Sequence, residues 1–210
     1  MKKTLLQVRN LDIGYKGKDL YKAVSFDINE GDCIMLCGAN GSGKTTLMKA
    51  LTCRSDNICM IPTRIPKVKG FTTEEFIKLG CKENDIVKAA ETLGMGRFLH
   101  QDISTLSDGE FQKACLAIAL AKKASIILLD EPTAFLDAEN RRIVLHCLKR
   151  LCDIETPAPA VIFSTHDLHE AKAVCNKVIA LGADGIFRCT SDNITDAVDT
   201  IFSSSKMDWI

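Results

Sequence analysis

The fold of this chain is decided by the stretch Gly38-Ala39-Asn40-Gly41-Ser42-Gly43-Lys44-Thr45. It matches the pattern GxxxxGK[ST], in which glycines let backbone N–H groups turn inward around phosphates at the N-terminus of a helix. The apolar run Cys33–Cys37 before it predicts a buried strand, and Lys44–Cys53 contains no helix breaker and predicts a helix. The order of strand, glycine-rich loop and helix predicts a site for a nucleoside triphosphate, with Lys44 on the β- and γ-phosphates and the Thr45 hydroxyl on Mg²⁺.

A second polar site follows the apolar run Ile126–Leu129, a predicted buried strand that leads into Asp130 and Glu131. Ligands of α/β sheets bind at the carboxyl ends of the strands. This position predicts that Asp130 supports Mg²⁺ and that Glu131 orients or deprotonates the attacking water. A dinucleotide site is a poorer fit, because Thr46 stands where that fingerprint has its third glycine.

The rest of the chain predicts an α/β protein with a P-loop NTPase core and a mostly parallel sheet, because strand patterns alternate with helical ones. Further strands are predicted at residues 58–61, 125–130, 160–164 and 177–181, and helices at 138–152 and 167–175. Residues 4–9 and 22–28 predict a small antiparallel part at the N-terminus. A helical stretch at 72–123, with a split near Gly80, interrupts the alternation. We predict one domain over residues 1–210, with an α/β core at 1–63 and 124–210 and an inserted helical lobe at about 64–123.

Composition and charge exclude several other classes. The chain has 210 residues, and its 27 Lys and Arg balance 27 Asp and Glu without a basic block, so nucleic acid is not an expected partner. No apolar run approaches the ~20 residues that a membrane-spanning helix needs. Gln7 and Arg9 interrupt the apolar region of a signal peptide, so a cytoplasmic protein is expected. The ten cysteines include no CxxC pair and are expected to be small buried side chains in a reducing compartment.

Further motifs follow in a fixed order. Leu106-Ser107-Asp108-Gly109-Glu110 resembles the LSGGQ signature of the ATP-binding cassette (ABC) transporter ATPases. Ala134-Phe135-Leu136-Asp137 resembles the D-loop of that family, and the third residue of Ser164-Thr165-His166-Asp167 resembles its switch histidine. Tyr15 stands where the family stacks an aromatic ring on adenine. The resemblance extends over most of the chain.

This resemblance implies that two subunits enclose two ATP molecules head to tail, with each phosphate loop facing the signature of the other subunit. The Ser107 hydroxyl and the Gly109 amide would then bind the γ-phosphate in trans, and His166 would contact it in cis. The implied nucleotide-binding residues are Tyr15, Gly38, Ala39, Asn40, Gly41, Ser42, Gly43, Lys44, Thr45, Thr46, Ser107 and Gly109. The implied catalytic residues are Lys44, Glu131 and His166, and the implied Mg²⁺ ligands are Thr45 and Asp130.

The chain departs from the family pattern in the signature and in the Q-loop. Asp108 replaces a glycine of the signature, and Glu110 replaces its glutamine. Thr63 stands where the family has the Q-loop glutamine, which touches Mg²⁺ and couples to the membrane partner. The altered signature and residues 71–80 are similar to the branch of metal-chelate importers. The short interval between Lys44 and Thr63 predicts an unusually small antiparallel part of the sheet.

The function that the resemblance implies is that of the ATP-binding subunit of an ABC transporter. It would hydrolyse Mg·ATP as a dimer to drive a separate membrane-spanning permease, and it would lie on the cytoplasmic, inner face of the membrane through that permease. Two alternatives stay open: a soluble ABC-type ATPase of assembly, such as iron–sulfur scaffolding, and a weakly active regulatory subunit. A GTPase is disfavoured, because Asn176-Lys177-Val178-Ile179 lacks the aspartate that reads guanine. The sequence indicates neither the cargo nor the direction of transport.

Overall fold

The computed structural model describes residues 2–15, 17–80, 85–154, 157–165, 167–182, 187–191 and 194. Its strands are β1 (Thr4–Tyr15), β2 (Lys18–Asn29), β3 (Cys33–Gly38), β4 (Ile58–Ile61), β5 (Ile126–Leu129), β6 (Ala160–Ser164), β7 (Lys177–Leu181) and β8 (Phe187–Thr190). Its helices are α1 (Lys44–Thr52), α2 (Thr73–Lys78), α3 (Ile86–Thr92), α4 (Asp108–Ala121), α5 (Ala138–Ile154) and α6 (Leu168–Val174), with 3₁₀ turns at Gly96–Phe98 and Ile103–Thr105. Within these described ranges, no helix is long and apolar enough to span a bilayer.

A six-stranded sheet in the order β4-β5-β6-β3-β7-β8 forms the centre of the molecule. The first five strands of this order run parallel to one another, and β8 is antiparallel to β7. Every residue of β3, β5 and β6 is buried, as expected for parallel strands that are covered on both faces and read as continuous apolar runs. The predicted α/β fold with a mostly parallel sheet is confirmed. β8 is not predicted from the sequence, because its four residues include an arginine and carry no clear strand pattern.

A separate two-stranded antiparallel sheet is formed by β1 and β2. Both strands have 12 residues and are longer than predicted, because irregular positions interrupt their register without ending the pairing. Asn10 and Ala23 have φ angles of 48° and 51° at two such positions. Their N–H groups donate to Ser25 Oγ at 3.0 Å and to Asp12 Oδ1 at 2.8 Å, so the kinks leave no unsatisfied donor there. The predicted small antiparallel part is confirmed.

The central strand β3 divides the core into two layers. Cys33, Met35 and Cys37 belong to an apolar cluster that joins the sheet to α4, α5, α6 and the helices α2 and α3. Ile34 and Leu36 belong to a second cluster, which joins the sheet to α1 and to the β1–β2 pair. Side chains alternate between the faces of a strand, so β3 is packed from both sides. This packing fixes the position of the loop that follows β3.

The helices between β4 and β5 pack around α4, which contacts α2, α3 and α5. The rings of Phe76 on α2 and Phe111 on α4 lie 5.5 Å apart between centroids. α2 begins at a capping box: the Glu75 N–H donates to Thr72 Oγ1, and the Glu75 carboxylate accepts from the Thr72 N–H. The predicted pair of helices divided near Gly80 therefore corresponds to α2 and α3.

Gly80 marks a close approach between the end of α2 and α4. A Cβ at this position would lie 2.1 Å from Cγ2 of Ile118, and an isoleucine in a helix has little freedom to change its χ1 rotamer. We expect Gly80→Ala to lower the free energy of unfolding by about 1–3 kcal/mol, measured by urea denaturation. Combined with Ile118→Ala, which removes that methyl group, it should cost less than the sum of the two single changes. Strictly additive effects would contradict the contact.

The cysteine prediction holds at most of the described positions. Cys33, Cys37, Cys59, Cys115 and Cys152 are buried, and Cys147, Cys175 and Cys189 are half-buried. Burial raises the pKa of the Cys37 and Cys115 thiols to about 12, which keeps them protonated and unreactive. The prediction is wrong for Cys53, which is exposed because it follows the last turn of α1. Cys81 lies outside the described residues.

Candidate functional site

The glycine-rich loop at residues 38–45 joins β3 to α1, as predicted. Gly38 has no room for a side chain, because an added Cβ would lie 2.5 Å from Ser42 Oγ and 2.6 Å from the Leu181 carbonyl oxygen. Gly43 has a φ of 98°, in the left-handed region that favours glycine, directly before α1 begins. These two glycines let the backbone turn tightly into the N-terminus of the helix.

Lys44 folds its buried side chain back over this loop. Its Nζ donates to the carbonyl oxygens of Gly38 at 2.9 Å and Ala39 at 3.1 Å. Burial lowers the pKa of Lys44, and the nearby carboxylates of Glu131 and Asp130 oppose that shift. The ammonium group thus lies in the loop with two neutral acceptors, and a phosphate would offer it a charged acceptor instead.

Asp130 connects the carboxyl ends of β5 and β6 with the start of α1, the helix that follows β3. It follows β5 and is buried, and its Oδ2 accepts from Thr45 Oγ1 at 2.7 Å at the start of α1. Its Oδ1 accepts from Ser164 Oγ at 2.9 Å at the end of β6. The hydroxyl of Thr45 and the carboxylate of Asp130, predicted as a pair, are therefore in direct contact.

Ser164 also holds the next residue, Glu131, because its Oγ accepts from the Glu131 N–H at 2.8 Å. Glu131 has a φ of 51°, a conformation that residues other than glycine rarely adopt and that clusters at functional sites. Sequence reasoning quotes Ser164 only as part of the switch motif and misses this role. Its position at the end of a fully buried strand, next to a predicted site, is the signal that could have found it.

A cavity of about 430 Å³ opens above the loop. Its lining comprises Tyr15, Leu20, Asn40, Gly41, Gly43, Lys44, Thr45, Thr46, Asp130 and Glu131. Nine residues of this lining are among those predicted to bind nucleotide, to bind Mg²⁺ or to take part in catalysis. One of them is Tyr15, whose side chain is 61% exposed at the end of β1. The structure therefore brings the loop, the two acidic residues and the aromatic ring to one place.

The switch histidine, His166, lies outside the described residues, so its prediction is untested. Thr165 and Asp167, on either side of it, line a cavity of about 540 Å³ together with Glu131. Asp167 accepts a hydrogen bond from the Arg141 guanidinium, and Arg141 also donates to the Leu136 carbonyl oxygen at 3.3 Å. Arg141 thereby links Asp167 to the D-loop motif.

The signature residues Ser107 and Gly109 do not line the cavity above the loop, and they lie at the N-terminus of α4. Ser107 caps this helix: its Oγ accepts from the Glu110 N–H at 3.3 Å, and Glu110 Oε2 accepts from the Ser107 N–H at 2.9 Å and from its Oγ at 2.8 Å. These hydrogen bonds lower the pKa of Glu110. Glu110, which replaces the glutamine of the family pattern, therefore completes a capping box.

Gly109 is required by the contact between α4 and α5. An added Cβ would lie 2.4 Å from Oδ1 of Asn140. Asn140 is held in turn by Asp137, whose carboxylate accepts from the Asn140 N–H at 2.7 Å and from its side-chain amide at 3.0 Å. The signature and the end of the D-loop motif are therefore connected through Asn140 within one subunit.

Thr63, at the position of the Q-loop glutamine, lies in a groove of about 500 Å³ beside α4. The groove is formed by residues 62–67, the first turns of α4 and residues 134–136. Phe135 is 72% exposed in this region, and the Arg64 guanidinium lies 4.9 Å from the centroid of its ring. Thr63 is absent from the lining of the cavity above the loop, so a contact with Mg²⁺ like that of the family's Q-loop glutamine stays untested for this residue.

Comparison with known sequences gives a consistent result. The family model described as "ABC transporter" matches residues 21–59 and 54–134. The chain is 31% identical over 204 residues to the uncharacterized ABC transporter ATP-binding protein YxlF of Bacillus subtilis, covering 84% of this chain and 68% of that protein. It is 34% identical over 201 residues to the aliphatic sulfonates import ATP-binding protein SsuB 2 of Pseudomonas syringae, covering 86% of this chain and 72% of that protein.

Comparison with solved structures agrees with the sequence matches. A metal-chelate type ABC transporter in an inward-facing conformation superimposes with a TM-score of 0.83 and 25% sequence identity. The match covers 96% of this chain and 90% of that chain. The similarity therefore extends over both the sheet and the helices between β4 and β5.

Proposed function

Because the chain belongs to the ABC transporter family as an ATP-binding, ATP-hydrolysing subunit, we propose that it binds Mg·ATP in the cavity above its phosphate loop and drives a membrane-spanning partner. The observation that carries this assignment of the site is the convergence of Lys44, Thr45, Asp130 and Glu131 on one cavity of about 430 Å³. In this arrangement Lys44 can bind the phosphates, the oxygens of Thr45 and Asp130 can bind a metal ion, and the Glu131 carboxylate can accept a proton from water.

In this proposal the triphosphate lies in residues 38–45. The N-terminus of α1 and the inward-turned N–H groups attract its negative charge, and Lys44 exchanges its two carbonyl acceptors for phosphate oxygens. Ser42 supports this placement, because its Oγ is buried without a hydrogen-bond partner in the part of the chain that the structure describes. A phosphate oxygen would supply that partner. The ring of Tyr15 is proposed to stack on adenine.

The residues present fit a magnesium ion. The Thr45 hydroxyl and the Asp130 carboxylate are hard oxygen donors in direct contact at 2.7 Å, and Mg²⁺ prefers such donors together with water and phosphate oxygens. When bound, the ion would neutralise charge on the β- and γ-phosphates. Ser164 holds the Asp130 carboxylate in place for this role.

Glu131 is proposed to accept the proton of the attacking water. Its φ of 51° and the hydrogen bond from its N–H to Ser164 Oγ fix the backbone of Glu131, and with it the position of its Cβ. A general base has to be positioned in this way to accept a proton. Glu131 also lines the cavity shared with Thr165 and Asp167, so a histidine at position 166 is suited to contact the same γ-phosphate. We propose that role for His166.

The second half of the site is proposed to come from another subunit. Ser107 and Gly109 lie outside the cavity above the loop of their own chain, so in this proposal they bind the γ-phosphate held by the partner. The ring of Phe135 is 72% exposed in the groove that also contains Asp108 of the signature, so in this proposal it lies on the side of the molecule that faces the partner subunit. A membrane-spanning permease would be the further partner, bringing the subunit to the inner face of the membrane and selecting the cargo.

The experiment that tests this proposal is ATP-dependent dimerisation. With Glu131→Gln to slow turnover, we expect saturating ATP to give a species of twice the 23.0 kDa subunit mass in light scattering. Adding Ser107→Arg should leave the protein monomeric, because the bulk of the arginine side chain at the helix cap would fill the space that the partner's nucleotide needs. A monomer at saturating ATP without the arginine would contradict the proposal.

A matched control is Ser191→Arg. Ser191 is exposed and follows β8 at the edge of the sheet opposite the phosphate loop, since Thr190 pairs with Val178 at the start of β7. Dimerisation should survive this change. Loss of the dimer in both arginine variants would show that added charge, and not the signature, is responsible.

A further inference from the structure

Asp108 presents a chemical difficulty for the proposed dimer. It stands in the signature between Ser107 and Gly109, the two residues proposed to approach the γ-phosphate of the partner subunit. Its side chain is 65% exposed at the first residue of α4. A carboxylate here repels a triphosphate, and little solvent would remain between them in a closed dimer.

Lys67, from a distant part of the chain, forms an ion pair with Asp108. Its Nζ donates to Asp108 Oδ1 at 2.7 Å and to the Leu106 carbonyl oxygen at 2.8 Å. It also lies 5.4 Å from the centroid of the Phe111 ring. Its side chain is only 26% exposed, and three contacts around the N-terminus of α4 define the position of the ammonium group.

The contact is poorly explained as a stabilising element of the fold. An ion pair with a mostly exposed carboxylate adds little stability, because solvent screens it and ordering a lysine side chain costs entropy. The signature itself is already held by the capping box between Ser107 and Glu110. What Lys67 changes is the charge at the N-terminus of α4: the pair Lys67–Asp108 is neutral where Asp108 alone would be negative.

We propose that Lys67 is a positioning residue of the ATPase reaction, which neutralises Asp108 so that the signature can close on the γ-phosphate of the partner subunit. This inference rests on the proposed function, since it needs the signature to act in trans. The other charged side chain of this turn, Glu110, accepts from the Ser107 N–H and hydroxyl through Oε2, so the capping box and not Lys67 fixes its position. Lys67 belongs to the segment 62–67, which also contains Thr63 and lines the groove beside α4. The positive charge that compensates Asp108 therefore comes from the segment at the Q-loop position.

The test is a double-mutant cycle in the Glu131→Gln background. Lys67→Met keeps an unbranched apolar stem beside Phe111 and removes the charge, and Asp108→Asn removes the opposing charge with little change of shape. The readout is the ATP concentration at half-maximal dimer formation in light scattering, at low and at physiological salt. ATP binding to the monomer is measured beside it by an isotherm at a protein concentration too low for dimers.

We expect Lys67→Met to raise the ATP concentration for half-maximal dimerisation at least about fivefold, the lower range of coupling between sites. Asp108→Asn should lower this concentration, and Lys67→Met with Asp108→Asn should return it to within about twofold of the parent, well under a tenfold change of 1.4 kcal/mol. The effect of Lys67→Met should be larger at low salt, because screening weakens the repulsion that it exposes.

The rescue distinguishes charge compensation from a structural role. If Lys67 acted only by holding the Leu106 carbonyl oxygen, the double variant would be as impaired as Lys67→Met, and this result would overturn the inference. A Lys67→Met protein that dimerises like the parent would overturn it as well. A parent that stays monomeric at saturating ATP would instead remove the proposed function on which the inference rests.

Lys123→Met is the matched control for the cycle. It removes another surface ion pair, between Lys123 Nζ and Asp85 Oδ1 at 3.1 Å, close to the amino end of β5 and thus on the opposite edge of the sheet from Asp130. Dimerisation should be the same as in the parent. A loss equal to that of Lys67→Met would attribute the effect to the removal of any lysine and would overturn the inference.

Discussion

Lys44→Ala should weaken ATP binding by at least about 100-fold, the equivalent of the roughly 3 kcal/mol that a buried charge-assisted hydrogen bond contributes. Lys44 is buried in the loop and now donates to the carbonyl oxygens of Gly38 and Ala39, so its removal deletes the principal cation offered to the phosphates. Titration calorimetry of ATP against the purified chain measures this change. Circular dichroism of the variant verifies that the fold is retained.

The control for this variant lies on the same helix. Lys49 is exposed in the last turn of α1, away from the phosphate loop, and Lys49→Ala should bind ATP as the parent does. Near-normal affinity in Lys44→Ala would contradict the placement of the triphosphate in residues 38–45. Equal losses in the two variants would point to the stability of α1 instead.

Glu131→Gln should slow ATP hydrolysis by at least about 100-fold, the lower range for losing a positioned general base. The amide keeps the size of the side chain and tolerates the φ of 51° no worse than the carboxylate, so ATP should still bind. Phosphate release under steady state and in a single turnover measures the rate. A single-turnover rate like that of the parent would remove the proposed role of Glu131.

Glu139→Gln is the comparison for this second change. Glu139 is an exposed carboxylate in the first turn of α5, and its neutralisation should leave hydrolysis as it was. A parent rate that is already negligible would favour the alternative of a weakly active regulatory subunit, because the cycle would then have little hydrolysis for Glu131 to support.

The sequence predicts the central elements well because their physical signals are local. Cys33–Gly38 and Ile126–Leu129 are buried on both faces and read as uninterrupted apolar runs, and residues 38–45 combine glycine freedom with a lysine and a hydroxyl in fixed order. These signals place most of the candidate site before any coordinates are known. Ser107 and Glu110 are also only three positions apart, but their capping box is not predicted, because both residues are interpreted from the sequence only as part of the signature.

The features that sequence reasoning misses depend on distant partners. Lys67 meets Asp108 across 41 residues, and Ser164 meets Asp130 across 34. No sequence pattern identifies the partner of Lys67, because a single lysine is as favourable in solvent as in an ion pair. Ser164 ends a buried apolar run next to the predicted site, but this position does not show which carboxylate it contacts. β8 is missed for a related reason: it is defined by its antiparallel pairing with β7 more than by its own four residues.

The contact between Gly109 and Asn140 has a mechanical consequence. The N-terminus of α4, which is proposed to bind the partner's nucleotide, contacts Asn140 in the first turn of α5. Asn140 donates two hydrogen bonds to Asp137, at the end of the turn that begins at Glu131. A displacement of the signature would therefore be passed through protein contacts toward Glu131, the carboxylate proposed to activate water. In a head-to-tail pair, nucleotide binding at one site would then change the affinity of the other site, so the two binding equilibria would be thermodynamically linked and the dimer, not the single chain, would be the working unit of the cycle.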